Sequence, residues 1–366
     1  MNICVISWDY PDSKRSAFAF VKQLVDEFVV QGHRVCVIAP YSVTTNRGTY
    51  KTREDVSQNL TILRPNYISL SSFTRFNAVS HKHAVNRALK KMPFVPDAVY
   101  GHFWLSVYEA LDYSSKHSIP LFVATGESSI DRLFPAQYRK KQLTDYISGA
   151  ICVSTKNKDE SVQLGLISED KCEVFPNAVN TSLFHKMDKK ECRKQLGFPK
   201  DGFIVGFVGG LIERKGPERV SAAIKQLTGK TVYSFFVGKG DQNPDCDNIL
   251  FKGALPHNQI PCYLNAADVF VLPTLQEGCC NAVVEAMACG LPIISSNRPF
   301  NWDVLNDSNS IMIDPKNVDE IAGAIQRLRD EEETRARLSK GSLEKAKSLT
   351  IEKRAEAIIG FMKSRV

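Results

Sequence analysis

The sequence predicts an α/β protein built from two doubly wound parallel-sheet domains. Strand-like and helix-like segments alternate from the N terminus, the same alternation restarts near Phe203, and the predicted strands are apolar almost throughout. Continuous apolar strands are typical of a parallel sheet that helices cover on both faces. With 366 residues, the chain is also longer than one hydrophobic core usually serves.

The first domain is predicted over residues 1–176. Its strands are expected at 3–7, 34–40, 98–100, 121–124 and 149–153. Between the first two strands, apolar residues recur at the spacing of a helix, and Gly32 follows where that helix can end. This strand–helix–strand order predicts a parallel sheet.

The second domain is predicted over residues 177–345, after a Pro- and Asn-containing break at 176–180. Its strands are expected at 203–208, 231–237, 249–251, 269–272, 292–294 and 311–313. A helix is expected to start at Pro217, since proline suits the first helical turn. The last residues, 346–366, are charge-rich and read as a helix.

Composition excludes several classes of protein. The net charge of +7 is mild for a chain with 47 basic and 40 acidic residues, so no polybasic nucleic-acid-binding tail is indicated. No apolar run approaches the roughly 20 residues that span a bilayer, and the N terminus lacks the basic lead of a signal peptide. The ten cysteines are scattered, mostly within apolar runs, which predicts free thiols in the cytoplasm and no zinc site.

One segment, residues 273–292, combines a strand end, a glycine turn and a helix start near 279–281. A helix N terminus offers unpaired N–H groups and a positive dipole, which together suit phosphate. Glu277 and Gly278 lie in the turn, and Glu285 lies along the helix, where its carboxylate can accept both hydroxyls of a ribose. Taken alone, the two glutamates are explained equally well as a dipole partner and a solvated helix residue.

A second segment, residues 207–217, also leaves a strand through glycines and enters a helix. Gly209 and Gly210 follow the strand. Arg214 and Lys215 then stand where two cations can neutralise a diphosphate, including the charge that grows as it departs. Taken alone, such a dipeptide in a loop is usually solvated surface.

Together the two segments resemble the donor-binding half of glycosyltransferase family 4, which contains retaining enzymes of GT-B fold. That family has two glutamates separated by seven residues, here Glu277 and Glu285, followed by Ala-Met-Ala-x-Gly-x-Pro, here 286–292. The family element Gly-x-Leu-x-x-x-Lys-Gly matches residues 209–216, and residues 176–180 resemble its interdomain Pro-Asn-Gly-Val-Asp. The resemblance covers nearly the whole chain.

The resemblance implies a GT-B architecture in which two Rossmann-like domains face a central cleft. The acceptor-binding domain would comprise residues 1–176, and the nucleotide-sugar donor-binding domain residues 177–345. The C-terminal helix over 346–366 would pack back on the first domain.

The resemblance also assigns roles to residues. Lys215 with Arg214 would bind the donor diphosphate, Glu285 the ribose and Glu277 the transferred sugar. His102 resembles the family's strand-end histidine, which points at the transferred sugar and the reaction centre; taken alone, it is more often a core imidazole. The donor-binding set is completed by Gly209, Gly210, Gly278, Cys279, Cys280 and Asn281.

The N-terminal domain departs from the family pattern. The family's glycine pair is absent near the first helix, where Ser16 stands instead, and its usual His-Gly after a later strand is replaced by Glu127 and Ser128. These three residues are the candidate contacts to acceptor or sugar. The family's arginine after the first glycine is replaced by Gly210, which leaves Arg214 to supply that charge.

The implied function is that of a retaining, metal-independent glycosyltransferase of hexosyltransferase type, without a cofactor. It would move a sugar from a UDP-, GDP- or other nucleotide-diphosphate sugar to a glycan or lipid-linked acceptor in cell-surface polysaccharide biosynthesis. Two alternatives stay open, namely a catalytically inactive nucleotide-binding or scaffold protein of the same fold and a nucleotide-sugar isomerase. Asp245 with Asp247 and His81 with His83 are spaced like metal-binding pairs, but a solvated turn and a solvated helix face are expected there.

Residues 56–96 contain no acidic side chain. Within them, a predicted helix has an apolar face made by Val85, Ala88, Leu89 and Met92, surrounded by basic residues. Such a helix can lie on an anionic membrane surface, or its apolar face can pack against the N-terminal sheet. The two alternatives are evenly balanced, and lipid-linked acceptors of similar enzymes favour a cytoplasmic protein peripheral to the inner face of the plasma membrane.

Overall fold

The computed structural model describes residues 1–12, 18–44, 51–70 and 74–366. These residues divide into two compact units. The N-terminal unit comprises Met1–Phe175 together with Ile351–Val366, and the C-terminal unit comprises Pro176–Thr350.

The N-terminal unit alternates strands and helices. Its strands are β1 (Asn2–Ile6), β2 (Arg34–Ile38), β3 (Tyr41–Ser42), β4 (Arg53–Ser57), β5 (Leu60–Leu63), β6 (Asn66–Tyr67), β7 (Ala98–His102), β8 (Leu121–Thr125), β9 (Ile147–Cys152) and β10 (Cys172–Val174). Its helices are α1 (Ala19–Val30), α2 (Thr74–Leu89), α3 (Trp104–His117), α4 (Ile130–Leu133), α5 (Lys141–Tyr146) and α6 (Thr155–Gln163), with short 3-10 turns at Ala136–Tyr138 and Glu169–Lys171, and the chain's last helix spans Ile351–Lys363.

Within the described ranges, eight of these strands form one sheet in the order β10-β9-β8-β7-β1-β2-β5-β4, and β3 pairs separately with β6. Neighbours in the large sheet are parallel except for β4 with β5. The strand order reverses between β1 and β7, whose carboxyl ends are Ile6 and His102. Such a switch point is where open α/β sheets bind ligands.

The core of this unit lies on both faces of the sheet. The predicted apolar face of α1 is buried, and the last helix contributes Phe361, whose ring contacts Phe122 and Phe175 at centroid distances of 6.2 and 5.6 Å. A Cβ on Gly149 would lie 2.8 Å from the Phe361 ring. Glycine in β9 therefore lets this aromatic ring approach the sheet.

The apolar face of α2 is buried in the core rather than free. Val85, Ala88 and Leu89 are at most 4% exposed, and Met92 packs against the same cluster. The structure therefore agrees with the alternative in which this face packs against the N-terminal sheet, and only exposed basic residues remain for contact with a membrane. No helix in the described part of the chain is long and apolar enough to cross a membrane.

Several basic residues of the acid-free stretch are paired with partners from elsewhere. Arg64 bonds Glu54 at 3.2 Å, and Lys82 bonds Asp112 at 2.8 Å. Lys90 and Lys91 are exposed. The side chain of Arg75 lies outside the described residues.

The C-terminal unit has strands β11 (Phe203–Val208), β12 (Val232–Val237), β13 (Ile249–Gly253), β14 (Val269–Leu272), β15 (Ile293–Ser296) and β16 (Ser310–Ile313). Its helices are α7 (Lys189–Leu196), α8 (Pro217–Lys225), α9 (Ile260–Ala266), α10 (Asn281–Ala288), α11 (Val318–Asp330) and α12 (Glu332–Ala346), with 3-10 turns at His257–Gln259 and Pro299–Asn301.

All six strands of this unit are parallel, in the order β13-β12-β11-β14-β15-β16. The order reverses between β11 and β14. The two motif segments singled out in the sequence, 207–217 and 273–292, begin where these strands end, so both lie at the switch point. The predicted fold class, two doubly wound parallel-sheet units, is confirmed.

Candidate active site

The loop after β11 meets a turn after β12 backbone to backbone. The N–H of Leu211 donates to the carbonyl of Lys239 at 2.8 Å. A Cβ on Gly238 would lie 1.8 Å from the carbonyl oxygen of Gly209, and a Cβ on Gly240 would lie 1.8 Å from that of Leu211. Glycine is thus required at both turn positions, because any side chain would push the two loops apart.

The same loop then carries the two predicted cations. Arg214 and Lys215 precede Gly216, which caps α8 with a left-handed φ of +76° before Pro217 opens the helix. The N–H of Leu275, in the loop after β14, donates to the Arg214 carbonyl at 2.8 Å. The two motif segments are therefore joined through their backbones.

Lys215 and Arg214 both contact the same carboxylate oxygen of Glu277. Its Oε1 accepts from Lys215 Nζ at 2.7 Å, from Arg214 Nη1, and from the Thr274 hydroxyl at 3.1 Å. Its Oε2 has no hydrogen-bond partner among the residues that the structure describes. The sequence predicted separate ligand contacts for the glutamate and the cations; the structure brings the three side chains into one ion-paired group.

Lys215 is largely enclosed, with its side chain 13% exposed. Its Nζ lies 3.6 Å from the sulfur of Cys280. Burial alone lowers the pKa of Lys215, but Cys280 and Glu277 outweigh that effect, so its pKa stands above the ordinary value. Lys215 and the always protonated Arg214 therefore leave the group net positive around one carboxylate, which favours an anionic ligand.

Glu285 is held by a histidine that the sequence did not single out. The Nε2 of His257 lies 2.8 Å from Oε1 of Glu285, and the ring of Phe184 packs on the imidazole at a centroid distance of 5.0 Å. The hydrogen bond to Glu285 raises the pKa of His257. No spacing pattern connects these residues, because a turn after β13 and a helix after β14 bring them together.

The N terminus of α10 completes this group. The helix starts at Asn281 without a side-chain cap, and the N–H of Val283 donates to the Cys280 carbonyl at 3.2 Å. A helix N terminus of this kind attracts anionic ligands through its dipole. The Asn177 side chain donates to the Cys279 carbonyl at 2.9 Å, which ties the Pro-Asn motif to the loop that also carries Gly278. The buried Oδ1 of Asn281 has no partner within the described ranges.

In the N-terminal unit, His102 ends β7 at the switch point. It is 7% exposed and is surrounded by the rings of Phe18, Phe20 and Phe103, with centroids 5.9, 5.2 and 4.2 Å away. Burial, assisted by the charge of Arg354, lowers the pKa of His102 to about 3. The imidazole is therefore neutral, and its Nε2 has no partner in the described part of the chain.

Glu127 is buried and satisfied within its own unit. One carboxylate oxygen accepts from the N–H of Trp104 at 2.8 Å, and the other accepts from the Thr125 hydroxyl at 2.7 Å and from the N–H of Gly126 at 2.9 Å. Burial raises its pKa. This carboxylate holds the start of α3.

The other two candidate acceptor contacts are Ser128 and Ser16. Ser128 is half-buried, and its carbonyl accepts from Lys156 Nζ at 2.8 Å. Ser16 lies outside the described residues.

The two metal-like pairs have other partners. Asp245 bonds Lys225 at 2.8 Å, and His81 bonds Glu109 at 2.7 Å inside the core. The solvated helix face expected for His81 is therefore wrong. Across the described ranges, no three His, Cys, Asp or Glu side chains are grouped so as to hold a metal ion.

Two doubly wound units, one of them with a lysine, an arginine and two glutamates at its switch point, are the architecture of a GT-B glycosyltransferase. Residues 17–183 match the family model described as Glycosyltransferase Family 4, and residues 188–345 match the model described as Glycosyl transferases group 1. The chain belongs to this family of glycosyltransferases.

Individual relatives agree with this assignment. The chain is 28% identical over 356 residues to the putative teichuronic acid biosynthesis glycosyltransferase TuaC of Bacillus subtilis (strain 168), covering 91% of this chain and 90% of the relative. It is 33% identical over 199 residues, 50% of this chain and 51% of the relative, to the UDP-Gal:alpha-D-GlcNAc-diphosphoundecaprenol alpha-1,3-galactosyltransferase of Escherichia coli.

A solved structure supports the fold alone. Anabaena Alr3699/HepE, in complex with UDP and glucose, superposes with a TM-score of 0.76 over 100% of both chains at 18% identity.

Proposed function

We propose that this glycosyltransferase moves a sugar from a nucleotide-diphosphate sugar to a glycan or lipid-linked acceptor in cell-surface polysaccharide biosynthesis, with retention at the anomeric carbon. The ion-paired group of Lys215, Arg214 and Glu277 at the switch point carries the proposal. The relatives support its direction: one is named for teichuronic acid biosynthesis, and another for a UDP-sugar donor and a diphosphoundecaprenol acceptor.

The donor diphosphate binds Lys215, Arg214 and the N terminus of α10. The lysine ammonium has three N–H donors, of which Glu277 and Cys280 engage two, so one remains for a phosphate oxygen. Backbone N–H groups and the helix dipole add to this attraction. Diphosphate oxygens thereby share the cations with Glu277.

The two glutamates accept hydrogen bonds from the hydroxyls on either side of the diphosphate. Glu285 accepts the ribose diol, and His257 holds its Oε1 so that the carboxylate keeps one orientation. Oε1 of Glu277 is held by the cations, which directs Oε2 to hydroxyls of the transferred sugar.

In the reaction, the bond from the anomeric carbon to the phosphate oxygen breaks as the acceptor oxygen bonds to the same face. The departing phosphate oxygen takes the acceptor proton, and Lys215 with Arg214 stabilises the charge that develops on the diphosphate. No metal is required for this step, because two cations already stand at the leaving group. Glu127 is buried, and its oxygens hold the start of α3 and the end of β8, so we assign it a structural role rather than that of a nucleophile. Neutral His102 offers a hydrogen bond to the sugar without adding charge.

The test is incubation with labelled UDP- and GDP-sugars and the octyl glycosides of glucose, galactose and N-acetylglucosamine, with and without excess chelator. We expect nucleotide release and an α-linked product from an α-linked donor. Lys215→Ala should abolish both, whereas Lys225→Ala, which removes an exposed pairing with Asp245, should behave as the wild type. An inverted product, or loss of activity with chelator, contradicts the proposal.

Peripheral association with the inner face of the plasma membrane belongs to the same proposal. Its support is the lipid-linked acceptor in the name of one relative and the exposed Lys90 and Lys91. The buried apolar face of α2 no longer contributes to it.

A further inference from the structure

Trp8 is 39% exposed although it lies only two residues after the buried strand β1. Its indole stacks on the imidazole of His81, with ring centroids 4.5 Å apart and planes inclined by 21°. One face of the indole is therefore covered. A ligand that stacks on Trp8 would therefore use the opposite face.

The histidine beneath Trp8 is fixed from two further sides. Its Nδ1 lies 2.7 Å from Oε1 of Glu109 on α3, and the ring of Tyr67 packs edge-on at a centroid distance of 4.8 Å. His81 and Glu109 are each 1% exposed. Because the imidazole cannot rotate in this setting, it supports Trp8 in one orientation.

The buried pair of His81 and Glu109 is not explained by a gain in stability. A buried polar pair contributes little net stability compared with apolar residues of similar size. Moreover, Nε2 of His81 and Oε2 of Glu109 lack hydrogen-bond partners among the described residues. Stability alone therefore does not account for the pair, whereas holding Trp8 at the ligand-binding edge of the sheet does.

We propose that the exposed face of Trp8 is a platform on which a pyranose ring of the acceptor stacks. This inference rests on the proposed function and specifies its acceptor site. Trp8 follows β1, and His102 ends β7, so both lie at the one switch point of the N-terminal unit. An aromatic face is electron-rich and apolar, which matches the C–H face of a pyranose, while the phosphate-binding groups lie in the C-terminal unit. Glu109 and His81 are positioning residues.

The direct test is ¹⁹F NMR of the full chain labelled with 5-fluorotryptophan. The sequence has three tryptophans, and Trp8→Phe and Trp302→Phe assign the resonances. Methyl and octyl glycosides of glucose, galactose and N-acetylglucosamine are titrated, and at least one sugar should move the Trp8 resonance in both its methyl and octyl forms. UDP should not move it. An unmoved Trp8 resonance, a response that needs the octyl chain, or a response to UDP overturns the proposal.

The kinetic test uses whichever of the octyl glycosides is accepted best. Trp8→Ala should raise the acceptor KM about five- to tenfold, and Trp8→Phe about twofold, since one ring stack is lost or reduced. The donor KM and the hydrolysis of donor by water should not change. Trp302→Phe, at another exposed tryptophan, is the matched control.

The positioning pair has its own rescue experiment. Glu109→Gln keeps an oxygen that can accept from His81 and should keep the wild-type acceptor KM, whereas Glu109→Leu should raise it at unchanged donor KM. A wild-type acceptor KM in Trp8→Ala refutes this inference while leaving the glycosyltransferase proposal intact. Absence of nucleotide release from every donor in the wild type refutes the proposed function instead.

Discussion

Lys215 Nζ lies 2.7 Å from Oε1 of Glu277, so the lysine expected at the phosphate and the glutamate expected at the sugar meet on one oxygen atom. Arg214 reaches the same oxygen. The carboxylate thus holds two side chains with many rotamers in position, which reduces the ordering cost of ligand binding. It also competes with phosphate for them.

Replacing Glu277 should therefore separate binding from catalysis. Glu277→Gln removes the competing charge but keeps a hydrogen-bonding oxygen, so affinity for UDP or GDP should stay equal or rise. Transfer should fall, because the sugar hydroxyls lose a charged acceptor. Calorimetry and initial rates measure the two effects, and weaker nucleotide binding in this variant contradicts the competition.

Lys215→Ala and Glu285→Ala should each weaken nucleoside-diphosphate binding by roughly 1.5–3 kcal/mol, since each removes one charge-assisted contact. Isothermal calorimetry with UDP and GDP gives the affinities directly. Lys225→Ala has the same charge change as Lys215→Ala and serves as its control. Unchanged affinity in both site variants would show that the nucleotide binds elsewhere.

His257 should stabilise the C-terminal unit in a pH-dependent way. Because its folded pKa is raised from 6.5 by Glu285, the stabilisation is complete below pH about 6.5 and is lost as pH rises through the folded pKa. His257→Gln retains a donor but never gains charge. The difference in Tm between wild type and variant should therefore be larger at pH 5.5 than at pH 8.5, and a difference independent of pH refutes the charge-assisted pair.

His102 should give the stability of the N-terminal unit the opposite pH dependence. Its pKa falls from 6.5 to about 3 on folding, so the N-terminal unit loses stability as pH falls below about 6.5. Relative to His102→Leu, which does not titrate, the loss should reach about 2 kcal/mol at pH 5. Urea unfolding is followed at 5-fluorotryptophan in the buried position 104, which reports on this unit alone. If the free energies of unfolding of wild type and His102→Leu depend on pH in the same way, the lowered pKa of His102 is refuted.

Membrane association should depend on exposed basic residues and weaken as salt rises. Sedimentation with anionic liposomes at low and high salt measures it, and Lys90→Glu with Lys91→Glu should release the protein. Lys225→Glu is the control, since it changes charge in the other unit. A protein that stays in the supernatant at low salt indicates a soluble acceptor.

The strands were predictable where both faces of the sheet are covered. Each strand of the C-terminal sheet contains an apolar run, and the sequence predicts each within a few residues of its place. β4, over Arg53–Ser57, is an exposed antiparallel edge with polar residues, so it carries no such signal. β5, over Leu60–Leu63, is only four residues long and lies inside the acid-free stretch, so its pattern is too short to predict a strand.

The candidate site was predictable where one motif holds it together. Arg214, Lys215 and Glu277 lie in loops whose sequence identifies them before the strand order brings them together. The pairs His257–Glu285 and His81–Glu109 form between elements that are distant in sequence, 28 residues apart in each case. No local pattern encodes such a contact, and His81 in particular resembled a solvated helix residue.

The backbone contact at Gly238 and Gly240 has a consequence for how donor preference can change. Since neither glycine tolerates a Cβ against the carbonyls of Gly209 and Leu211, the cation-bearing loop and its neighbouring turn form one mechanical part. A loop taken from another enzyme and placed after β11 will therefore pack correctly only if that enzyme's turn after β12 is transferred together with it. Variants with a new donor preference, natural or engineered, should therefore replace the loop after β11 and the turn after β12 together.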